Sequence, residues 1–282
     1  MSTNENHFFG LSKNSYAHLT SVLFFMVSVA YCYFILTISQ FHYGFEILIA
    51  IVFPLVGYPF FKKADNWVDI KRLILLETGF NIICIVAKVT NDLNIDWGEI
   101  LNWMFVIFFI FQTGGFLISE FKKKKYKCLP SSIAMGIGIA YWYFNSAGEK
   151  TSITPDGEVQ FWGSNAPLYL QIMYTFWVAN VFLVEFRQYL PKATMYLAHA
   201  ATMVVALMSN EFFHARILTA SHLFVLNAIF VYKDMDWNGR HFAVVPVSNV
   251  FKDDQHIVAI IFPLIMNAGS IITLLYWLFL SN

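Results

Sequence analysis

The chain has 282 residues, of which 58% are hydrophobic, 18% aromatic and 13% charged, with no net charge and a mean hydropathy of +0.57. A soluble domain carries about a quarter of its residues as Asp, Glu, Lys and Arg, so this composition has too little polar surface to cover a globule. Zero net charge leaves no electrostatic footprint for nucleic acid. The three cysteines, Cys32, Cys84 and Cys128, form neither a CxxC nor a disulfide framework.

Taken in order, the polar start MSTNENHFFGLSKNSYAHLT leads into an apolar run at 18–40. That run is longer than a signal-peptide core and lacks a small-residue cleavage site, so it is expected to stay as a first membrane span. Further apolar runs follow at 45–61, 73–89, 100–119, 131–146, 167–186, 193–209, 213–232 and 257–280. Each approaches the length needed to cross ~30 Å of hydrocarbon at ~1.5 Å per residue. The expected fold is all-α, a polytopic helical membrane protein of about nine transmembrane helices forming a single domain over 1–282, in a plasma or inner membrane. With the N-terminus in the cytoplasm and the C-terminus outside, every Lys and Arg except Lys88, Lys150 and Arg216 falls on the cytoplasmic side, as the positive-inside rule asks. Within the outer loop 147–166, Thr154-Pro155-Asp156-Gly157 between two β-prone pieces predicts a small hairpin.

Polar side chains inside such spans are costly and usually have a reason. Counted from the cytoplasmic ends of their spans, Asn81, Gln112, Asn180, His199 and Asn227 all lie roughly 9–13 Å deep. His222 and Asn267 lie near mid-depth, and Glu77 sits closer to the cytoplasmic edge, where Arg72 is placed to neutralise it. Interhelical hydrogen bonding explains any one of these residues. Five on different helices at one depth favour a shared cavity open toward the cytoplasm. The leading expectation is therefore a membrane protein that binds or translocates a small solute, ion or proton, with His199 as the titrating group.

A polar knot, Asn210, Glu211, His214 and Arg216, marks the outer end between the seventh and eighth runs. Read as one helix, it puts Asn210 and Glu211 beside His214, and Glu-x-x-His on a helix is a half-site of di-iron carboxylate proteins. The plainer alternative is a turn, with Asn210 capping the next helix and Glu211 in its first turn. A second functional reading follows from the knot: an enzyme at the outer face acting on a lipid-soluble substrate, with a metal on Glu211, His214 and Asn210, with Glu211 and His214 as an acid–base pair, or with a haem on His199 and His222. A third makes the chain a passive subunit of a larger membrane complex or an oligomer.

Asn210-Glu211-Phe212-Phe213-His214, preceded by an apolar span and followed by His222, resembles the Asn-Glu-x-x-His segment in the C subunit of copper membrane monooxygenases. The resemblance implies copper near Asn210 and His214. The family's second His stands further along than His222 does, and its separate Asp-x-x-x-His site has no counterpart in this chain. A Schiff-base Lys in the last span, histidine boxes, a P-loop, a GxSxG elbow and HExxH are all absent from the sequence. Gly114-Gly115 and the Met135-Gly136-Ile137-Gly138 stretch are expected at close helix contacts.

Overall fold

Each apolar run becomes a helix in the structure, a computed structural model that describes residues 13–61, 67–146, 148–185, 193–230 and 257–280. In chain order these are α1 (Lys13–Phe41), α2 (Tyr43–Phe60), α3 (Trp67–Asp92), α4 (Gly98–Lys122), α5 (Leu129–Asn145), α6 (Leu168–Asn180), α7 (Ala193–Met208), α8 (Phe212–Phe230) and α9 (Ile257–Leu280). Among the described residues α1, α2, α3, α4 and α9 are long and apolar enough to cross a membrane. Their outward faces are apolar as well: Val27 and Phe34 on α1, Trp103 and Ile110 on α4, and Leu264 and Ile272 on α9 are all exposed. Apolar contiguity of this extent on the surface of a helical bundle marks a lipid-facing wall.

Two helices are not regular. A π-turn at Leu48–Val52 interrupts α2, and another at Val181–Glu185 prolongs α6. Such turns re-register a helix and release a carbonyl from the ordinary ladder, and they recur beside functional groups.

At one end of the bundle the connections are knitted together. The predicted hairpin forms there from β1 (Ser152–Ile153) and β2 (Val159–Gln160), paired antiparallel. Gly157 turns it with a φ of +79°, and an added Cβ would collide with the Gln40 carbonyl, so a glycine is required on both counts. Glu158 accepts from the Gln40 amide at 2.6 Å, Asn102 accepts from the Thr151 N–H at 2.8 Å, and Lys150 pairs with Asp96 at 2.8 Å. That exposed pair raises the Lys150 pKa and lowers that of Asp96 through their mutual hydrogen bond but contributes little to stability. The opposite end carries the turn Lys123–Cys128 and is called the lysine end below.

α8 stands at the centre. Every residue from Glu211 to Val225 is buried, and α7, α3, α1 and α2 pack around it. A wholly buried helix is ordinarily apolar all round, yet this one carries His214, Arg216, Thr219, Ser221 and His222. Three of the glycines singled out in the sequence lie at close approaches, Gly138 against Met173, Gly136 against Thr113 and Gly115 against the Arg72 guanidinium, whereas Gly114 faces open space.

Candidate functional site

Two polar centres flank α8, one beneath the hairpin and one nearer the lysine end. The first is built on Glu46, which enters from the opening turn of α2 and is fully buried. Lys88 of α3 pairs with its Oε2 at 2.5 Å and donates to the Ser39 carbonyl at 3.0 Å. His214 Nε2 lies 3.3 Å from both Glu46 oxygens, and the Val159 N–H of β2 points at His214 Nδ1 from 3.4 Å. A backbone N–H can only donate, so Nδ1 accepts and Nε2 carries the proton that it shares with Glu46. The hairpin therefore sets the tautomer of a buried histidine. Cys84 completes the group, its ligand atom within 4.8 Å of those of Glu46 and His214.

Cys, His and Glu are metal-ligating types, but the geometry tells against a metal here. The Lys88 ammonium already occupies the cation's place beside Glu46, and a protonated Nε2 offers no lone pair to a metal. With a neutral thiol, a neutral imidazole and a Lys–Glu pair, the cluster has no net charge, which is the condition under which buried ions persist.

Asn210 and Glu211 do not join His214. Glu211 precedes α8 rather than lying in its first turn. The free N–H groups at the start of α8 are capped from across the rim: Glu211 N–H donates to Glu158 at 2.6 Å and Phe212 N–H to Asn165 at 3.0 Å. Asn210, expected as the cap, instead donates to Asp156 at 2.5 Å in an exposed position. The Glu211 carboxylate is buried with neither oxygen hydrogen-bonded among the described residues. Burial first, and the neighbouring Glu158 charge second, push its pKa up to about 8.

The second centre is a chamber of about 40 Å3 lined by Glu77 of α3, Gln112 of α4, Tyr174 and Trp177 of α6, and Arg216 of α8. Arg216 is 2% exposed; its Nη1 donates to Thr202 at 2.7 Å and its guanidinium lies 5.9 Å from the centre of the Tyr174 ring. Its Nε has no acceptor, and Glu77 Oε2 has no donor, among the described residues. The two charges line one space, yet no ion pair joins them among the described residues. Leu73, Leu76 and Phe116 are shared with a smaller notch of about 20 Å3, bounded by Arg72, Ser119 and Lys123 at the lysine end.

Of the residues singled out in the sequence, Gln112 lines this chamber. His199 lies behind its wall, stacked on Phe182 at 4.1 Å and near Phe224 at 4.8 Å, with both ring nitrogens buried and without a hydrogen-bond partner among the described residues. Asn81 donates to Ser221 at 2.8 Å. Asn180 donates to Ser131 and to Asn267, each at 3.0 Å, and Asn267 in turn bonds the Lys127 carbonyl at 2.7 Å. Both asparagines thus tie helices together. His222 donates from Nδ1 to the Ile49 carbonyl in the π-turn of α2 at 3.4 Å, accepts from the Tyr31 hydroxyl at 2.7 Å and stacks on Phe53. His199 and His222 therefore have separate surroundings, and no haem-holding pair forms. The side chain of Asn227 lies outside the described residues.

Glu77 and Arg216 were missed as chamber residues because depth was counted along the helix axis. Arg216 stands one turn from the hairpin end of α8, but its long side chain reaches the space that Glu77 lines. Glu46 was hidden by lying inside an apolar run. Comparison of the chain with protein-family models, curated proteins and solved structures finds no match.

Proposed function

We propose that this is an integral membrane protein of nine spans, with its N-terminus and lysine end in the cytoplasm. On this reading it binds or translocates a small polar solute, ion or proton through the chamber between Glu77, Gln112 and Arg216. One observation carries the proposal: the Glu77 carboxyl and the Arg216 guanidinium line one space, and no ion pair joins them among the described residues. Unpaired charge in low dielectric costs several kcal/mol per ion and persists where a mobile partner supplies the missing interactions. The notch between Arg72 and Lys123 shares Leu73, Leu76 and Phe116 with the chamber, and on this reading entry is from that side. The hairpin, seated over the opposite end through Glu158 and Val159, closes that face.

Cysteine accessibility tests the reading. The native cysteines are all buried, so an introduced thiol reports alone. Gln112→Cys should react with silver ion, a thiol reagent small enough to follow water, applied from the lysine-end side, and much faster than Ile110→Cys, which faces outward from the same helix. Equal rates for the two would sink the proposal, and reaction from the hairpin side alone would reverse its polarity.

A further inference from the structure

The chamber is too small for a metabolite. Its volume of about 40 Å3 compares with roughly 10–15 Å3 needed for one water and roughly 300–1,000 Å3 for pockets that enclose small molecules. Whatever fills it must accept from Arg216 Nε–H and donate to Glu77 Oε2. Water does both, and Gln112 offers one further donor and acceptor to a short file of waters. Leu73, Leu76 and Phe116, which line both spaces, are all that separates such a file from the notch at Arg72 and Lys123.

We propose that the species taken up by the chamber is the proton, and that the Glu77 carboxylate binds it. The inference rests on the reading of the chamber as a site reached from the lysine end. In the binding step a protonated water gives its proton to Glu77; the carboxyl O–H bond forms, a water O–H bond breaks and neutral water remains. Arg216 keeps its charge throughout, since a guanidinium does not deprotonate in proteins. It is a fixed counter-charge for the carboxylate form of Glu77. Among the described residues the other polar groups that line the chamber with Glu77 are Gln112 from α4 and Tyr174 and Trp177 from α6, while Arg72 of its own helix and Lys123 line the neighbouring notch. His199 is set back from the lining, and a proton placed on it would add a second cation beside Arg216 with no partner to receive it.

Infrared difference spectroscopy of the full-length protein in lipid vesicles, recorded between alkaline and acidic pH, tests the assignment. The wild-type spectrum should contain a protonated-carboxyl component that shifts in deuterium oxide and is lost in Glu77→Gln. Glu77→Asp should return it at a displaced frequency, which also serves if the glutamine variant does not fold. A spectrum indifferent to both substitutions overturns the proposal. If Gln112→Cys is nevertheless reached from the lysine-end side, only the proton assignment falls. If that thiol is unreachable as well, the chamber reading falls with it.

Discussion

Lys88 shows what a single residue does beside a buried carboxylate. Among the described residues the side-chain partners of Glu46, Lys88 and His214, arrive from different helices. Removing one member of a buried pair leaves an uncompensated charge and costs about 3–5 kcal/mol, whereas replacing both with apolar groups of similar size is often neutral. Lys88→Met is therefore expected to destabilise the protein by about 3–5 kcal/mol, and Glu46→Leu with Lys88→Met to recover most of that loss. Reversible unfolding in mixed detergent measures both. A double variant as unstable as the single one would mean that the pair acts through packing and not through charge.

At the scale of elements, the hairpin decides most. It caps α8 through Glu158, sets the His214 tautomer through Val159, and lies against Glu211, whose carboxyl is held neutral by burial and by Glu158. A carboxyl whose folded pKa stands above its ordinary 4.5 contributes stability that is complete below that value and lost as pH rises through about 8. Seating of the hairpin should thus weaken between about pH 4.5 and 8, by up to about 1.4 kcal/mol per pH unit. Glu211→Gln should flatten the dependence. Amide hydrogen exchange of β1 and β2 across this range reads it, and identical slopes in wild type and variant would disprove the mechanism.

What the sequence made legible was periodic or compositional. The apolar runs gave the helices to within a few residues, and Pro155-Asp156-Gly157 between β-prone flanks gave the hairpin. The candidate site was less legible, because it depends on which helices touch. Asn81 and Asn180 stood at the same depth as Gln112, yet the first finds Ser221 and the second Asn267. Depth is a one-dimensional coordinate, and convergence needs the angle around each helix as well as its neighbours. Arg216 was misplaced for a related reason, since an arginine side chain spans more than a helical turn and its backbone position does not say where its charge lies. The Glu46–Lys88–His214 cluster joins three helices distant in sequence, so no local pattern could reveal it.

For the molecule as a whole, the polar residues of α8 bear on how the chain is made. On the nine-span proposal, a segment carrying Arg and two His meets an insertion penalty of about 2.5–3.5 kcal/mol for the Arg alone, and nothing within α8 offsets it. Its compensation lies in Thr202 and Tyr174 for Arg216 and in Glu46 for His214, all synthesised earlier. The order of biosynthesis thus sets the partners in place before the helix that needs them. A translocon reporter carrying α8 alone should insert poorly, and one carrying the chain from its start through α8 should insert well. Arg216→Leu should rescue the isolated segment, and equal insertion with and without the preceding helices would show that α8 enters the bilayer unaided.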